Sequence, residues 1–90
     1  MNKVIITVVG KDTKGIIARV CTYLAENNAN ILDISQTIVG GYFNMMMVVD
    51  FADLNCTFDQ AQGDLSELGH AMGTEIKCQR EEIFEKMHRI

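Results

Sequence analysis

The chain has 90 residues, of which 48% are hydrophobic and 22% are charged, a composition typical of one globular domain. The formal net charge of -4 and the scatter of Lys and Arg argue against a nucleic-acid partner, because phosphates need a basic surface. No apolar run approaches the roughly 20 residues that span a bilayer, and we expect no signal peptide. The composition therefore predicts a cytoplasmic protein without a nucleic-acid or membrane partner.

The cysteines do not form a recognisable motif. Cys21, Cys56 and Cys78 are odd in number and far apart, and neither His70 nor His88 completes a cluster with metal-ligand spacing. We therefore expect buried, reduced thiols. The sequence predicts no metal site and no cofactor.

Hydrophobic periodicity divides the chain into alternating strands and helices. Strands are predicted where apolar residues alternate or run continuously, and helices where they recur every three to four residues. The predicted elements are strand 3–9, helix 16–27, strand 30–39, strand 42–51, helix 58–72, strand 75–80 and a short helix from 82 onward. The first strand is apolar on both faces, which favours a position in the middle of a sheet.

Turn and capping residues support these boundaries. Gly40-Gly41 predicts a tight hairpin turn, because the primed turns need positive φ. Thr57 and Gln60 match a capping box at the start of the second long helix, and Gly73 can end that helix. Asn27-Asn28 can end the first helix.

The order βαββαβ predicts a ferredoxin-like α+β sandwich, in which a four-stranded antiparallel sheet carries two helices on one face. Right-handed crossovers place the first and third strands in the middle of the sheet. The main domain is expected to span residues 1–80, and a short C-terminal helical tail residues 81–90.

The sheet face opposite the helices is predicted to carry an apolar strip formed by Ile5, Val9, Met46 and Val48. Scattered apolar residues are common on protein surfaces, so this strip can be an ordinary surface. Self-association that covers it is the favoured interpretation, and unpaired edge strands offer a further route to pairing. The C-terminal tail is another candidate cover.

The strand-to-helix junction over residues 8–17 is the main candidate for a functional site. Gly10 is expected to let the chain turn, and Gly15 to let a ligand approach the first helical turn. N–H groups at a helix start can receive a carboxylate or another anion. Asp12 or Thr13 can also cap this helix, so a plain structural role for them stays open.

Other chemistries fit the residues poorly. Gly10-x-x-x-x-Gly15 is followed by Ile16-Ile17, where a phosphate loop requires Lys-Ser/Thr. Arg19 lies too far into the helix to serve as the loop arginine of an acylphosphatase. Tyr42 is the single aromatic candidate near the open sheet face, whereas RNA-binding sheets display several.

The pattern strand-Gly-x-Asp-x-x-Gly-Ile-Ile, followed one helix later by Asn30-Ile31, resembles the ACT domain family. ACT domains are small regulatory modules with this βαββαβ fold, and many bind amino acids. The resemblance covers about residues 2–80 and is strongest to small stand-alone ACT proteins related to regulators of glycine cleavage. Asp33-Ile34-Ser35-Gln36-Thr37 and Ile83-Phe84-Glu85-Lys86-Met87 also resemble that group.

The resemblance implies a ligand at an interface between two protomers, in contact with the loop and with the start of the second strand. The residues that match the family's ligand contacts are Gly10, Lys11, Asp12, Thr13, Gly15, Ile16, Asn30 and Ile31. Ile17 also lies in the motif, but Ile17 and Ile31 are better explained as core residues. Lys14 stands where the family usually has proline, which loosens the loop.

Physical chemistry suggests how these residues would share the ligand. Backbone N–H groups of Gly15 and Ile16 would receive a carboxylate, while Asp12 and Asn30 would receive an α-ammonium group. A helix cap at Asp12 and a turn residue at Asn30 are equally consistent with the sequence.

The sequence thus predicts a non-catalytic regulatory homodimer that binds a small molecule, such as an amino acid, and signals to a protein partner. No catalytic residue is predicted. The first alternative is a ligand-free interaction module that uses the exposed sheet as its partner surface. A small acylphosphatase-like enzyme ranks third.

Overall fold

The computed structural model describes residues 2–11 and 15–82. These residues form a four-stranded antiparallel sheet with two helices on one face, in the predicted order βαββαβ, so the ferredoxin-like α+β fold is confirmed. The elements are β1 Lys3–Lys11, α1 Ile16–Glu26, β2 Asn30–Val39, β3 Tyr42–Asp50, α2 Phe58–Ala71 and β4 Thr74–Arg80. The remainder of the predicted tail helix, from residue 83, lies outside the described residues.

The strand order is β2-β3-β1-β4, so β1 and β3 lie in the middle of the sheet, as predicted. The register aligns Lys11 of β1 with Tyr42 of β3, and Tyr42 with Val39 of β2. We call this the loop end of the sheet, because the β1–α1 connection leaves from it. The opposite end, where Asp50 lies between Lys3 and Asn30, is the far end.

The core lies between the helices and one face of the sheet. The two central strands contribute alternate side chains, and each helix contributes the apolar stripe that its periodicity predicts. Fully buried examples are Val4, Ile6, Val8, Met47, Val49, Val20, Leu24 and Leu65. Burial of each such side chain is worth roughly 1.5–3 kcal/mol relative to exposure, so this layer is the main source of stability.

The hairpin turn lies at the predicted residues, and α2 begins where predicted, at Phe58, and ends one residue early, at Ala71. Gly40 and Gly41 have φ of 59° and 83°, the left-handed conformation that a tight primed turn requires. Thr57 Oγ1 accepts a hydrogen bond of 3.1 Å from Gln60 N, which is one half of the predicted capping box. Gly73 follows α2 with φ of 70° and lets the chain leave the helix.

The edge strand β2 departs from the predicted alternation. Its register against β3 shifts between Ile31 and Asp33, so Leu32 is the extra residue of a β-bulge. Ile34 and Ile38 pair with core residues of β3 and therefore face the helix side. The regular alternation predicted over 30–39 is wrong at the bulge, because a period of two cannot reveal an inserted residue.

The open face of the sheet is only partly as predicted. Val9 and Met46 are 44% and 41% exposed, and Val48 is half-buried. Ile5 alternates with the core residues of β1 and so faces away from the helices, yet it is only 6% exposed. The prediction of an exposed apolar strip is therefore wrong for Ile5.

Two glycines are required by close packing. Gly10 lies inside β1, where a Cβ would stand 2.7 Å from Thr74 Cγ2. The strand continues to Lys11, so the prediction that Gly10 turns the chain is wrong. A Cβ on Gly69 of α2 would stand 2.8 Å from the Thr74 carbonyl oxygen and 2.9 Å from Ile76 Cγ1. These two glycines let β1 and α2 approach the start of β4.

The three cysteines are free thiols, as predicted. Cys78 of β4 is 2% exposed, and burial raises its pKa to about 12. Cys21 and Cys56 are only half-buried, so the prediction of buried thiols is confirmed for Cys78 alone.

Replacement of Gly69 with alanine should destabilise the fold by roughly 1–3 kcal/mol, because the added methyl group overpacks a backbone contact. Gly63 provides the matched control in the same helix, since a Cβ there meets nothing within 4 Å. Gly63→Ala should stabilise the protein by about 0.5–1 kcal/mol through helix propensity. Urea unfolding measures the free energy of unfolding of both variants. An unchanged free energy of unfolding in Gly69→Ala would contradict the close contact between α2 and Thr74.

The burial of Cys78 predicts slow reaction with a thiol reagent such as Ellman's reagent, because the thiolate is the reactive form. Cys21 and Cys56 should react in the native protein, and Cys78 only after unfolding. Native and urea-unfolded titrations, with Cys78→Ala to assign the slow thiol, measure this. Three thiols of equal native reactivity would contradict the burial of Cys78.

Candidate functional site

The start of α1 is the first part of the candidate site. Gly15 takes the N-cap position with φ of 86°, a left-handed conformation that favours glycine. The helical hydrogen-bond ladder begins with Arg19 N donating to Gly15 O at 3.0 Å. The N–H groups before Arg19 precede this ladder, and such groups are available to an anion at a helix start.

The N-cap prediction for this helix is wrong. Gly15, and neither Asp12 nor Thr13, takes that position. Asp12 and Thr13 were also predicted ligand contacts, and both lie outside the described residues, as does Lys14. A Cβ on Gly15 would meet nothing within 4 Å, so space beside the first turn of α1 is open.

A shallow groove of about 460 Å³ lies between the start of α1 and the sheet edge. We call it the edge groove. It is lined by Ile17, Gln36, Thr37, Ile38 and Phe43. Ile17 is 37% exposed and Ile38 is 63% exposed, so the prediction that Ile17 is a core residue is wrong. Sequence reasoning missed Gln36 and Ile38, because periodicity identified their strand without showing which side of it stays uncovered.

The edge groove is open because the helices leave β2 bare. Of the strand's ten residues, Ile31 alone is half-buried and the others are exposed. Most exposed large apolar side chains among the described residues lie on β2 or on the neighbouring β3: Leu32, Ile34, Ile38, Val39, Tyr42 and Met46. An apolar edge strand is prone to pair with another chain.

The second part of the candidate site lies at the other end of the sheet. Asn30 aligns with Asp50 and Asp50 with Lys3, whereas Gly10 is seven residues further along β1. At about 3.3 Å per residue, Gly10 and Asn30 are separated by roughly 23 Å along the strands. One chain therefore does not bring all the predicted contacts together: Gly10, Lys11, Gly15 and Ile16 lie at the loop end, and Asn30 and Ile31 at the far end.

The far end carries oxygen-rich side chains. Asn30 lines a hollow of about 340 Å³ together with Asn28, Asp50 and Asp53. Asp50 Oδ1 accepts a hydrogen bond of 2.9 Å from the backbone N–H of Ala52, which orients the carboxylate. Carboxylate and amide oxygens are acceptors for an ammonium group.

Ile31 differs from its neighbour Asn30. It is half-buried and packs against the core, in agreement with the prediction that it serves as a core residue. A ligand at the far end would therefore meet Asn30 and the nearby carboxylates more directly than the Ile31 side chain.

Residues 2–11 and 15–82 contain neither a metal-binding cluster nor a membrane-spanning helix. No group of three or more His, Cys, Asp or Glu side chains there could hold a metal ion. None of the helices in that part of the chain is long and apolar enough to cross a membrane.

This chain is similar to known proteins in both sequence and structure. The family model described as ACT domain matches residues 2–79. A UPF0237 protein of Bifidobacterium longum is 66% identical over 90 residues, which covers 100% of both chains. The solved structure of an ACT domain protein from Streptococcus pneumoniae is 43% identical with a TM-score of 0.80, and the match covers 93% of this chain and 94% of that one.

A more distant structure shares the fold alone. A putative glycine cleavage system transcriptional repressor has a TM-score of 0.77 at 24% identity, and the match covers 88% of this chain and 45% of that chain. The family match extends over nearly the whole sequence, and the strand order and helix positions agree with it. The chain belongs to the ACT domain family.

Proposed function

We propose that this protein is a non-catalytic regulator that binds a small molecule, such as an amino acid, between two copies of the chain and signals to a protein partner. ACT domains are typically regulatory modules that bind small ligands. The observation that carries the proposal is the position of the two parts of the candidate site at opposite ends of one sheet. A second copy is needed to join them.

Antiparallel pairing of two β2 strands would make that join. A two-fold axis between paired strands places the loop end of one copy beside the far end of the other. The start of α1 in one copy then lies near Asn30 of the second copy. The dimer would contain two equivalent ligand sites, each completed by both chains.

The two edges of the sheet differ in a way that favours β2 for this pairing. The stretch from Ser35 to Val39 has no charged residue, and each of its residues is exposed. On β4, Glu75 and Lys77 form an exposed ion pair of 3.4 Å, and Gln62 Nε2 donates a hydrogen bond of 3.2 Å to Cys78 O. Charges and covered backbone groups protect an edge strand from pairing.

The chemistry of the two ends suits a zwitterion. The positive end of the α1 dipole and its early N–H groups would receive the α-carboxylate. Asn30, with Asp50 and Asp53 beside it, would receive the α-ammonium group. The ligand's own side chain would lie against the apolar edge groove. The proposed contacts in the motif remain Gly10, Lys11, Asp12, Thr13, Gly15, Ile16, Asn30 and Ile31.

Free thiols also suit the reducing cytoplasm, where we place this regulator. A ligand that bridges two copies stabilises the dimer by its preference for that state. Dimer formation would therefore report the ligand's concentration to a partner. The alternative function, a ligand-free interaction module, would use the same exposed edge. A thermal-shift screen with amino acids distinguishes the two functions, because only the regulator binds a ligand.

A thermal-shift screen against the twenty amino acids should identify at least one that raises Tm. At a concentration ten times its Kd, a ligand adds about 1.4 kcal/mol of stability, which corresponds to roughly 6–11 °C for a domain of this size. No rise with any amino acid at millimolar concentration would contradict the amino-acid proposal.

Asp12→Ala and Asn30→Ala should abolish the rise while the proteins stay folded. Asp59→Ala and Gln60→Ala are the matched controls, because both residues are exposed at the start of α2, and neither lines the edge groove or the hollow at the far end. A rise that survives in Asp12→Ala and Asn30→Ala would refute the proposed contacts.

The assembly can be tested by charge substitutions on the two exposed surfaces. Ile38→Lys places a charge at the β2 edge and should shift the dimer to monomer, whereas Val9→Lys on the open face should leave the dimer intact. Both side chains are exposed, so neither change disturbs the core. Sedimentation equilibrium gives the mass, and dissociation by Val9→Lys alone would place the interface on the open face.

A further inference from the structure

The helices α1 and α2 leave a groove between them on the outer surface of the helix layer. Its volume is about 570 Å³, and we call it the interhelical groove. The residues that matter here are Ala18, Thr22, Tyr23 and Glu26 of α1 and Glu67 and Leu68 of α2. It is separate from the edge groove, which involves Ile17 on the other side of α1.

The floor of the interhelical groove is apolar and fixed in position. Tyr23 and Leu68 are half-buried and pack against the core. The Tyr23 hydroxyl donates a hydrogen bond of 2.6 Å to Asp64 Oδ2, which ties α1 to α2 beneath the groove. Burial, and then this hydrogen bond, raise the pKa of the Tyr23 hydroxyl far above its usual value, so it remains a donor.

The walls leave room for another backbone. Ala18 and Thr22 lie one turn apart on the exposed face of α1, and their small side chains do not fill the space between the helices. An approaching helix can come close where side chains are small. The small side chains therefore allow a helical partner segment to approach α1 closely.

The charges around the groove select the partner. Glu26, Asp64 and Glu67 contribute three carboxylates, and Arg19 contributes one guanidinium. Glu26 and Glu67 are exposed and stand at the rim, beside the apolar floor. This combination complements a helix whose apolar stripe is flanked by Lys or Arg.

We propose that the interhelical groove docks a basic amphipathic helix of the protein that this chain regulates. The inference rests on the proposed regulatory function and names its partner surface. Because Ile17 and the edge groove lie on the opposite side of α1, a dimer formed through β2 leaves the interhelical groove accessible. Each dimer presents two such grooves.

The groove also shares an element with the ligand site. Gly15, a residue of the proposed ligand-binding loop, is the N-cap of α1, and the α1 residues that line one side of the groove are Ala18, Arg19, Thr22, Tyr23 and Glu26. A ligand that fixes the start of α1 therefore acts on the same helix that a partner would contact. By linkage, any effect of the ligand on docking is matched by an equal effect of docking on ligand affinity.

The probe for the test is a synthetic helix of about 14 residues, or four turns, made of Leu and Lys with Leu at helical spacing. A scrambled peptide of the same composition is its control. Titrated into the full-length ¹⁵N-labelled protein without amino acid, the amphipathic peptide should shift the amide signals of Ala18, Thr22 and Leu68. The scrambled peptide should bind about tenfold more weakly or not at all. Equal binding of the two peptides, or shifts that map elsewhere, would overturn the proposal.

Two variants test the groove itself. Glu26→Lys with Glu67→Lys should weaken the amphipathic peptide about tenfold, and Thr22→Phe should weaken it by filling the groove without a change of charge. Glu75→Lys with Glu82→Lys alters the net charge equally at exposed positions outside the groove and should leave binding unchanged. Equal weakening in this control pair would show non-specific charge attraction and refute the docking site. Because the peptide titration contains no amino acid, a negative result would refute the docking site without contradicting the proposed ligand binding.

Discussion

The antiparallel register of β2, β3 and β1 is the constraint on which the rest of this molecule depends. It places Lys11 and Val39 at one end of the sheet and Lys3 and Asn30 at the other. Residues that the family resemblance assigns to one ligand are thereby held about 23 Å apart along the strands. No side-chain movement within a single chain spans that distance. The proposed ligand site therefore requires the proposed dimer, because only a second copy brings the two sets of residues together.

Unequal packing of the two helices determines which surfaces are left for partners. α2 sits tightly on β4, because Gly69 permits backbone contact with Thr74 and Gln62 bonds to Cys78 O. α1 buries Ile16, Val20 and Leu24 in the core, and β2 is left almost wholly exposed. The uncovered apolar area is therefore concentrated at one edge, where burial by a second copy would contribute roughly 25 cal/mol for each Å² removed from water.

The features predicted from the sequence are those with local causes. Gly40-Gly41 and the Thr57 cap follow from the conformations of single residues, and the helices follow from apolar periodicity. The predictions for Gly10 and Ile17 were wrong because their roles depend on neighbours distant in sequence. Thr74 lies beside Gly10, and Ile17 lies beside the uncovered strand β2. The prediction for Ile5 was wrong because this residue is buried although it lies on the open face. The strand-to-helix junction was found from its glycines and the helix start, whereas Asn30 and Ile31 were assigned to the site by resemblance. Gln36 and Ile38 needed the sheet order, which no local pattern supplies.

The position of α1 would link the proposed ligand site to the proposed docking groove. Its first turn lies beside the edge groove, and its opposite side forms a wall of the interhelical groove. The hydrogen bond between Tyr23 and Asp64 connects α1 to α2 at the base of that groove, so a shift of α1 must either break this bond or carry α2 with it. Loss of such a half-buried hydrogen bond costs about 0.5–1.5 kcal/mol, which overlaps the range of a typical coupling free energy between two sites. Through this bond, a ligand that moved α1 at the sheet edge would alter the outer surface of the helix layer as well.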